Sequence, residues 1–148
     1  MQMFEKLLVP VDGSPHAKCA VAIAVEMAKC HKSSVVLLHV IRDLPLPKEL
    51  LDMMAAGEVT ASRMQILQDS AHIILNSARE EFEKAGISDV KCEVILGDPA
   101  SKILEYAAQC SVDLIVLGHR GLHPSEGLLG GVARKVVNMT KVPCLIAS

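Results

Sequence analysis

A strand-like run, "VDLIVL", is followed by "GHRGLHPSEGLLGGVARKVV", Gly118–Val137, with five glycines in its first fourteen residues. Glycines between a strand and a helix let backbone N–H groups approach phosphate oxygens with no Cβ in the way. A helix beginning near Gly131 would offer its unpaired N–H groups and the positive end of its dipole to the same anion. Gly118, Gly121, Gly130, Gly131 and Val132 are therefore candidate phosphate-binding positions. The same glycines also suit a plain turn. A second candidate is Asp12, directly after the apolar run "KLLVPV". Its carboxylate suits either a ligand hydroxyl or the cap of the following helix, where Ser14 competes for the role.

Other nucleotide devices are absent. No GxGxxG follows the first strand and no GxxxxGK[ST] occurs, which argues against a dinucleotide fold and a P-loop. No SGGxDS-like or HxGH-type run is present. His119 and His123 are four apart, but Pro124 and the glycines argue against the helix that would bring them onto one metal. His39 lies on an apolar strand and reads as a satisfied core histidine. No Ser–His–Asp set, HExxH or paired carboxylates appear, so a binding protein is favoured over a turnover enzyme. Asp12 and Asp98 are the acids that would hold Mg²⁺ near a triphosphate.

Alternation of strand and helix signals positions these residues. "KLLVPVD" (Lys6–Asp12), "SSVVLLHVI" ending at Ile41, "VKCEVIL", "VDLIVLG" and "PCLIAS" read as strands. The third alternates enough to sit near a sheet edge. Ser14 and Pro15 open a helix, and Asp98 and Pro99 open another. Met64, Leu67, Ala71, Ile74, Ala78 and Phe82 trace one face of a long helix stopped at Gly86, with Glu80 and Lys84 paired on its wet side. Residues 44–60 read as a loop with a partial helix; Met53 and Met54 pack under it. The pattern predicts a single α/β domain with an open, mainly parallel five-stranded sheet and helices on both faces. Ligands of such sheets bind beyond the strand carboxyl ends, here Pro10–Ser14, His39–Arg42, Leu96–Asp98 and Leu117–Gly121.

The 148-residue chain suits one core, and 51% of it is hydrophobic, yet it holds two Phe, one Tyr and no Trp. A net charge of −2 and missing aromatic platforms argue against nucleic acid. The five cysteines form no CxxC and read as reduced, mostly buried side chains of a cytoplasmic protein. No apolar run approaches a membrane span.

Four pieces in order, "LLVPVDGSPHAKCAV", "VVLLHV", "GDPASKIL" and "DLIVLGHRG…LLGGVARKVV…VPCLI", resemble the universal stress protein family along nearly the whole chain. The resemblance implies an adenine-nucleotide alpha-hydrolase-like fold, a nucleotide-responsive binding protein with ATP as ligand and slow ATP hydrolysis at most, stress-response partners and a homodimer through the last strand, 142–148. ATP-binding members carry Gly-x-x-Gly, nine residues, then Gly-Ser or Gly-Thr. Gly118–Gly121 matches the first half. The second half departs, because Gly131 is followed by Val132. Aligning "LLGGVA" with the family's "LLGSVA" makes Gly130 the third glycine, after an eight-residue gap, and puts Gly131 where the hydroxyl would be. The hydroxyl is missing in either register. By the same resemblance Asp12 would bind the ribose, Pro10 and Val11 would wall the adenine pocket, the Val40 backbone would meet the adenine edge, and Arg120, between the paired glycines, would add charge near the phosphates. The other function class consistent with this sequence is an interaction homodimer of the same fold that binds no nucleotide.

Overall fold

The computed structural model describes residues 3–42, 60–120 and 129–148. Five short apolar runs form β1 (Lys6–Pro10), β2 (Ser34–Arg42), β3 (Val90–Gly97), β4 (Leu114–Gly118) and β5 (Cys144–Ala147). They make one sheet in the order β3-β2-β1-β4-β5, and every neighbouring pair is parallel. Among the described residues four helices connect them: α1 (Pro15–His31), α2 (Thr60–Lys84), α3 (Pro99–Gln109) and α4 (Gly131–Met139). The expected α/β architecture and the edge position of the third strand are both present. The segment read as a loop with partial helix, with Met53 and Met54, lies outside the described residues, as do Gly121 and His123.

Side-chain alternation divides the core in two. Leu7, Val9, Leu37 and Val116 face α1 and α2, while Leu8, Leu38, Ile115 and Leu117 face α3 and α4. Strands buried on both faces explain why β1 and β4 read as unbroken apolar runs. Val, Leu, Ile and Ala fill both halves, and Phe82 is the one large aromatic, fully buried.

Helix starts follow local chemistry. Ser14 Oγ accepts the Ala17 N–H at 3.2 Å, with Pro15 at the first turn of α1. Asp98 Oδ2 accepts the Ser101 N–H at 3.0 Å at the start of α3. Beyond α2 the chain turns through Gly86, whose φ of +81° suits glycine.

Three expectations need correction. α2 buries Ala71, Leu75, Ala78 and Phe82, with Ile74 partly buried, so its inner face is rotated toward Leu75. Lys84 pairs with Glu81 at 3.4 Å instead of Glu80, on an exposed surface where either spacing is worth little. None of the five cysteines is fully buried: Cys19 and Cys30 are exposed and the other three intermediate, all as free thiols.

One glycine is fixed by packing. A Cβ on Gly118 would lie 2.8 Å from the His16 carbonyl carbon and 2.9 Å from the Ala17 nitrogen. The first turn of α1 thus rests on the end of β4. Gly118→Ala is expected to cost roughly 1–3 kcal/mol through overpacking against backbone. Thermal unfolding of the two proteins checks this, and an unchanged midpoint would contradict the contact.

Candidate functional site

The sheet opens where β1 and β4 part. They pair at Leu7–Leu114 and Leu8–Ile115, while β4 continues to Gly118 against β5. Strand order reverses here, since β2 and β3 lie on one side of β1 and β4 and β5 on the other. Pro10 has no N–H to extend the β1–β4 ladder. A cavity of about 620 Å³ lies beyond these strand ends, in the usual size range of small-molecule sites. It is lined by Pro10, Val11, Asp12, Val40, Gly118, Arg120, Gly130, Gly131 and Val132, so nine of the ten expected site residues come together. The tenth is Gly121, outside the described residues.

Each wall has a local cause. The Val11 N–H donates to the Leu38 carbonyl at 2.8 Å, the last tie between β1 and β2. Along a strand, N–H and C=O point to the same side at every second residue. The Leu38 backbone faces β1, so the Val40 backbone also points toward β1, which has by then ended at Pro10. That leaves a donor and an acceptor facing the cavity, the pair a heterocycle edge requires.

Asp12 sits in a turn stabilised by its own side chain. Its Oδ1 accepts the Ser14 N–H at 2.9 Å, and Gly13 takes φ +82°. Ser14 is the cap of α1, so Asp12 shapes the turn before the helix. Among the described residues Asp12 makes no other side-chain hydrogen bond, which leaves Oδ2 for a ligand.

His39 is half-buried and lines the cavity, contrary to its reading as a core residue. Its Nδ1 lies 2.8 Å from the Val11 carbonyl oxygen. A carbonyl only accepts, so Nδ1 carries the proton.

The anion end is backbone. Gly130 caps α4 with no side-chain hydrogen bond, and its N–H donates to the His119 carbonyl at 2.8 Å. The His119 N–H in turn donates to the Ala147 carbonyl, which ties this turn to β5. Gly131, Val132 and Ala133 open α4 at the cavity wall, where first-turn N–H groups have no partner within the helix. Gly131 has open space around its Cβ position and does not require positive φ.

The acids expected to share Mg²⁺ have different roles. Asp98 caps α3, accepts the Ser101 hydroxyl at 2.8 Å and meets Lys135 Nζ at 3.4 Å. The Ser101 N–H and hydroxyl, followed by Lys135, hold its carboxyl below the usual range. Asp98 does not line the cavity; Asp12 does. The His119 ring lies 5.9 Å from that of His16, tilted by 36°, and the described residues contain no three-residue metal cluster.

Sequence reasoning placed Arg42 at a ligand-binding strand end without giving it a role, and missed Arg63 and Ser70; all three are in the cavity wall. Arg42 had a usable signal, standing two residues past Val40 on the same strand. Nothing in the sequence aligns α2 with the sheet edge, so Arg63 and Ser70 had none.

The profile of the universal stress protein family matches residues 3–148. Universal stress protein YxiE of Bacillus subtilis is 33% identical, over 97% of this chain and 99% of its own. The structure of MJ0577 of Methanocaldococcus jannaschii superimposes with a TM-score of 0.82 at 27% identity, covering 98% of this chain and 96% of that one. More distant structures of the same fold, at 19% to 23% identity and TM-scores of 0.68 to 0.72, include a universal stress protein with cAMP, one from Archaeoglobus fulgidus with dAMP and one from Arabidopsis thaliana with AMP. With a parallel sheet opening at this switch point and a family match along nearly its whole length, the chain belongs to the universal stress protein family.

Proposed function

We propose that this chain is a cytoplasmic adenine-nucleotide-binding stress-response protein, with ATP as ligand and a protein partner that senses the bound state. The observation that carries the reading is the uncapped first turn of α4 facing the same cavity as Asp12 and the free edge of Val40. Adenine edge, ribose and phosphate thus each have a chemically suitable wall. The complexes of distant members with AMP, dAMP and cAMP support the choice of base. Exposed thiols at Cys19 and Cys30 suit a reducing compartment. Asp12, as the one carboxylate in the described lining, is the residue that would meet Mg²⁺ carried in with ATP. Denaturing the purified protein and identifying released small molecules by absorbance and mass spectrometry tests the reading. Adenine nucleotide in the supernatant is expected. Failure of added ATP to bind a nucleotide-free preparation would overturn the reading and favour the interaction homodimer.

The missing hydroxyl weakens this site without removing it. A hydrogen bond to a charged acceptor contributes roughly 1.5–3 kcal/mol. Gly131→Ser restores one at a position with room for it and no backbone strain. ATP affinity is expected to rise by up to about ten- to a hundredfold. Calorimetric titration of both forms checks this; unchanged or weaker binding by the folded serine form would mean that residue 131 does not face the phosphates.

The assembly we propose is a homodimer through residues 142–148. Among the described residues β5 pairs with β4 alone, and its Leu145 and Ile146 stay half-buried. Val137 and Met139 on neighbouring α4 are 41% and 61% exposed. An open apolar edge of this kind favours pairing with a second copy. Sedimentation at micromolar concentration is expected to show a dimer that Leu145→Lys weakens; a monomer before mutation would contradict the assembly.

A further inference from the structure

His16 and His119 meet where the first turn of α1 rests on the end of β4. Their ring centroids are 5.9 Å apart and the planes are tilted by 36°. Nδ1 of each ring is buried and has no hydrogen-bond partner, so the two nitrogens do not bond each other either. Nε2 of neither ring is shut in this way. A neutral imidazole protonated at its outer Nε2 presents Nδ1 as a bare lone pair. Buried polar atoms nearly always find a partner. Two orphaned lone pairs on neighbouring rings therefore point to one electrophile that both reach. The backbone beneath the rings is fixed. His119 donates its N–H to the Ala147 carbonyl, and its own carbonyl accepts the Gly130 N–H. His16 packs so closely on Gly118 that a Cβ built there would lie 2.9 Å from the His16 Cβ. Side chains carried on such backbone need little reorganisation to bind.

We propose that Nδ1 of His16 and Nδ1 of His119 together hold one divalent transition metal, outside the nucleotide cavity, whose described lining includes neither histidine. Imidazole nitrogen suits zinc, copper and nickel, whereas magnesium and calcium take oxygen ligands. Two imidazoles that share a zinc ion at a Zn–N distance of about 2.0–2.1 Å have ring centres roughly 5–6 Å apart, and the two rings stand at that separation. Water completes the coordination, as it does at zinc sites with an open position. The metal links the start of α1 to the turn after β4. Nothing in this site requires a nucleotide.

The test titrates Zn²⁺ alone into the nucleotide-free protein and into His16→Gln and His119→Gln, by calorimetry. Zinc taken up by the exposed thiols Cys19 and Cys30 is common to all three forms and cancels in the comparison. The unmodified protein is expected to bind one more zinc ion than either variant. A long-range ¹H–¹⁵N spectrum of the imidazole rings, recorded on the unmodified protein, keeps the test independent of how the variants fold. Zinc is expected to move the Nδ1 signals of His16 and His119 together, with one saturation curve, while each Nε2 stays protonated. Equal zinc uptake by all three forms would overturn the proposal. So would Nδ1 signals that zinc leaves in place, a shift confined to one of the two rings, or coordination through Nε2.

Discussion

The binding edge depends on the short pairing of β1 with β4. The two strands share register at Leu7 and Leu8, and beyond that point β1 turns away through Pro10 while β4 stays with β5. Pairing continued by two residues would close the seam beneath the cavity. Proline at position 10 opposes that extension, because the ladder would need an N–H that it lacks. The gap is then held open by contacts on both sides. Val11 is tied to β2 through Leu38 and His39, and the turn after β4 is tied to β5 and α4 through His119. The first turn of α1 presses on Gly118, so the strand end cannot shift without moving a helix.

On the proposed reading, this arrangement makes phosphate binding chiefly a matter of backbone. An uncapped helix start presents oriented N–H groups with no side-chain reorganisation, and its field falls off within the first turn. Loss of one hydroxyl removes one bond among several. The carboxylate at Asp12 is kept outside this region, with one oxygen engaged in its own turn. On that reading the acid of the lining stands beside the ribose, and the guanidinium groups of Arg42, Arg63 and Arg120 belong to other parts of the wall. Asp98, although it follows a strand end, plays no part: its oxygens serve α3 and Lys135.

Much of the fold could be read from the chain because each element announces itself locally. Ser14 with Pro15 and Asp98 with Pro99 mark helix starts through side-chain chemistry that acts within three residues. Strands buried on both faces leave unbroken apolar runs. What eluded sequence reading depends on partners distant in the chain. Ile74 and Leu75 are adjacent on α2, and periodicity alone does not settle which turns inward; the sheet does. Cys19 and Cys30 fell on the outer face of α1, Cys92 and Cys144 on the two edge strands and Cys110 at the end of α3, where hydrophobicity alone does not settle burial. Asp12, Val40 and Gly130–Val132 were legible as strand-end and helix-start positions. Arg63 and Ser70 reach the cavity because α2 lies across the sheet edge, a placement set by packing. His39 was misjudged for a related reason: β2 outruns β1, so a residue in an apolar strand faces a cavity instead of the core.

The central claim is that one cavity divides a nucleotide among the Val40 edge, the Asp12 turn and the first turn of α4. A ¹H–¹⁵N correlation spectrum recorded during titration with AMP tests it at each amide. The account predicts that the largest shifts fall on Asp12, Gly13 and Val40 and on Gly130, Gly131 and Val132, two regions far apart in sequence that respond together with one saturation curve. Shifts confined to other surfaces, or a response from Asp12 and Val40 with Gly130–Val132 silent, would contradict it.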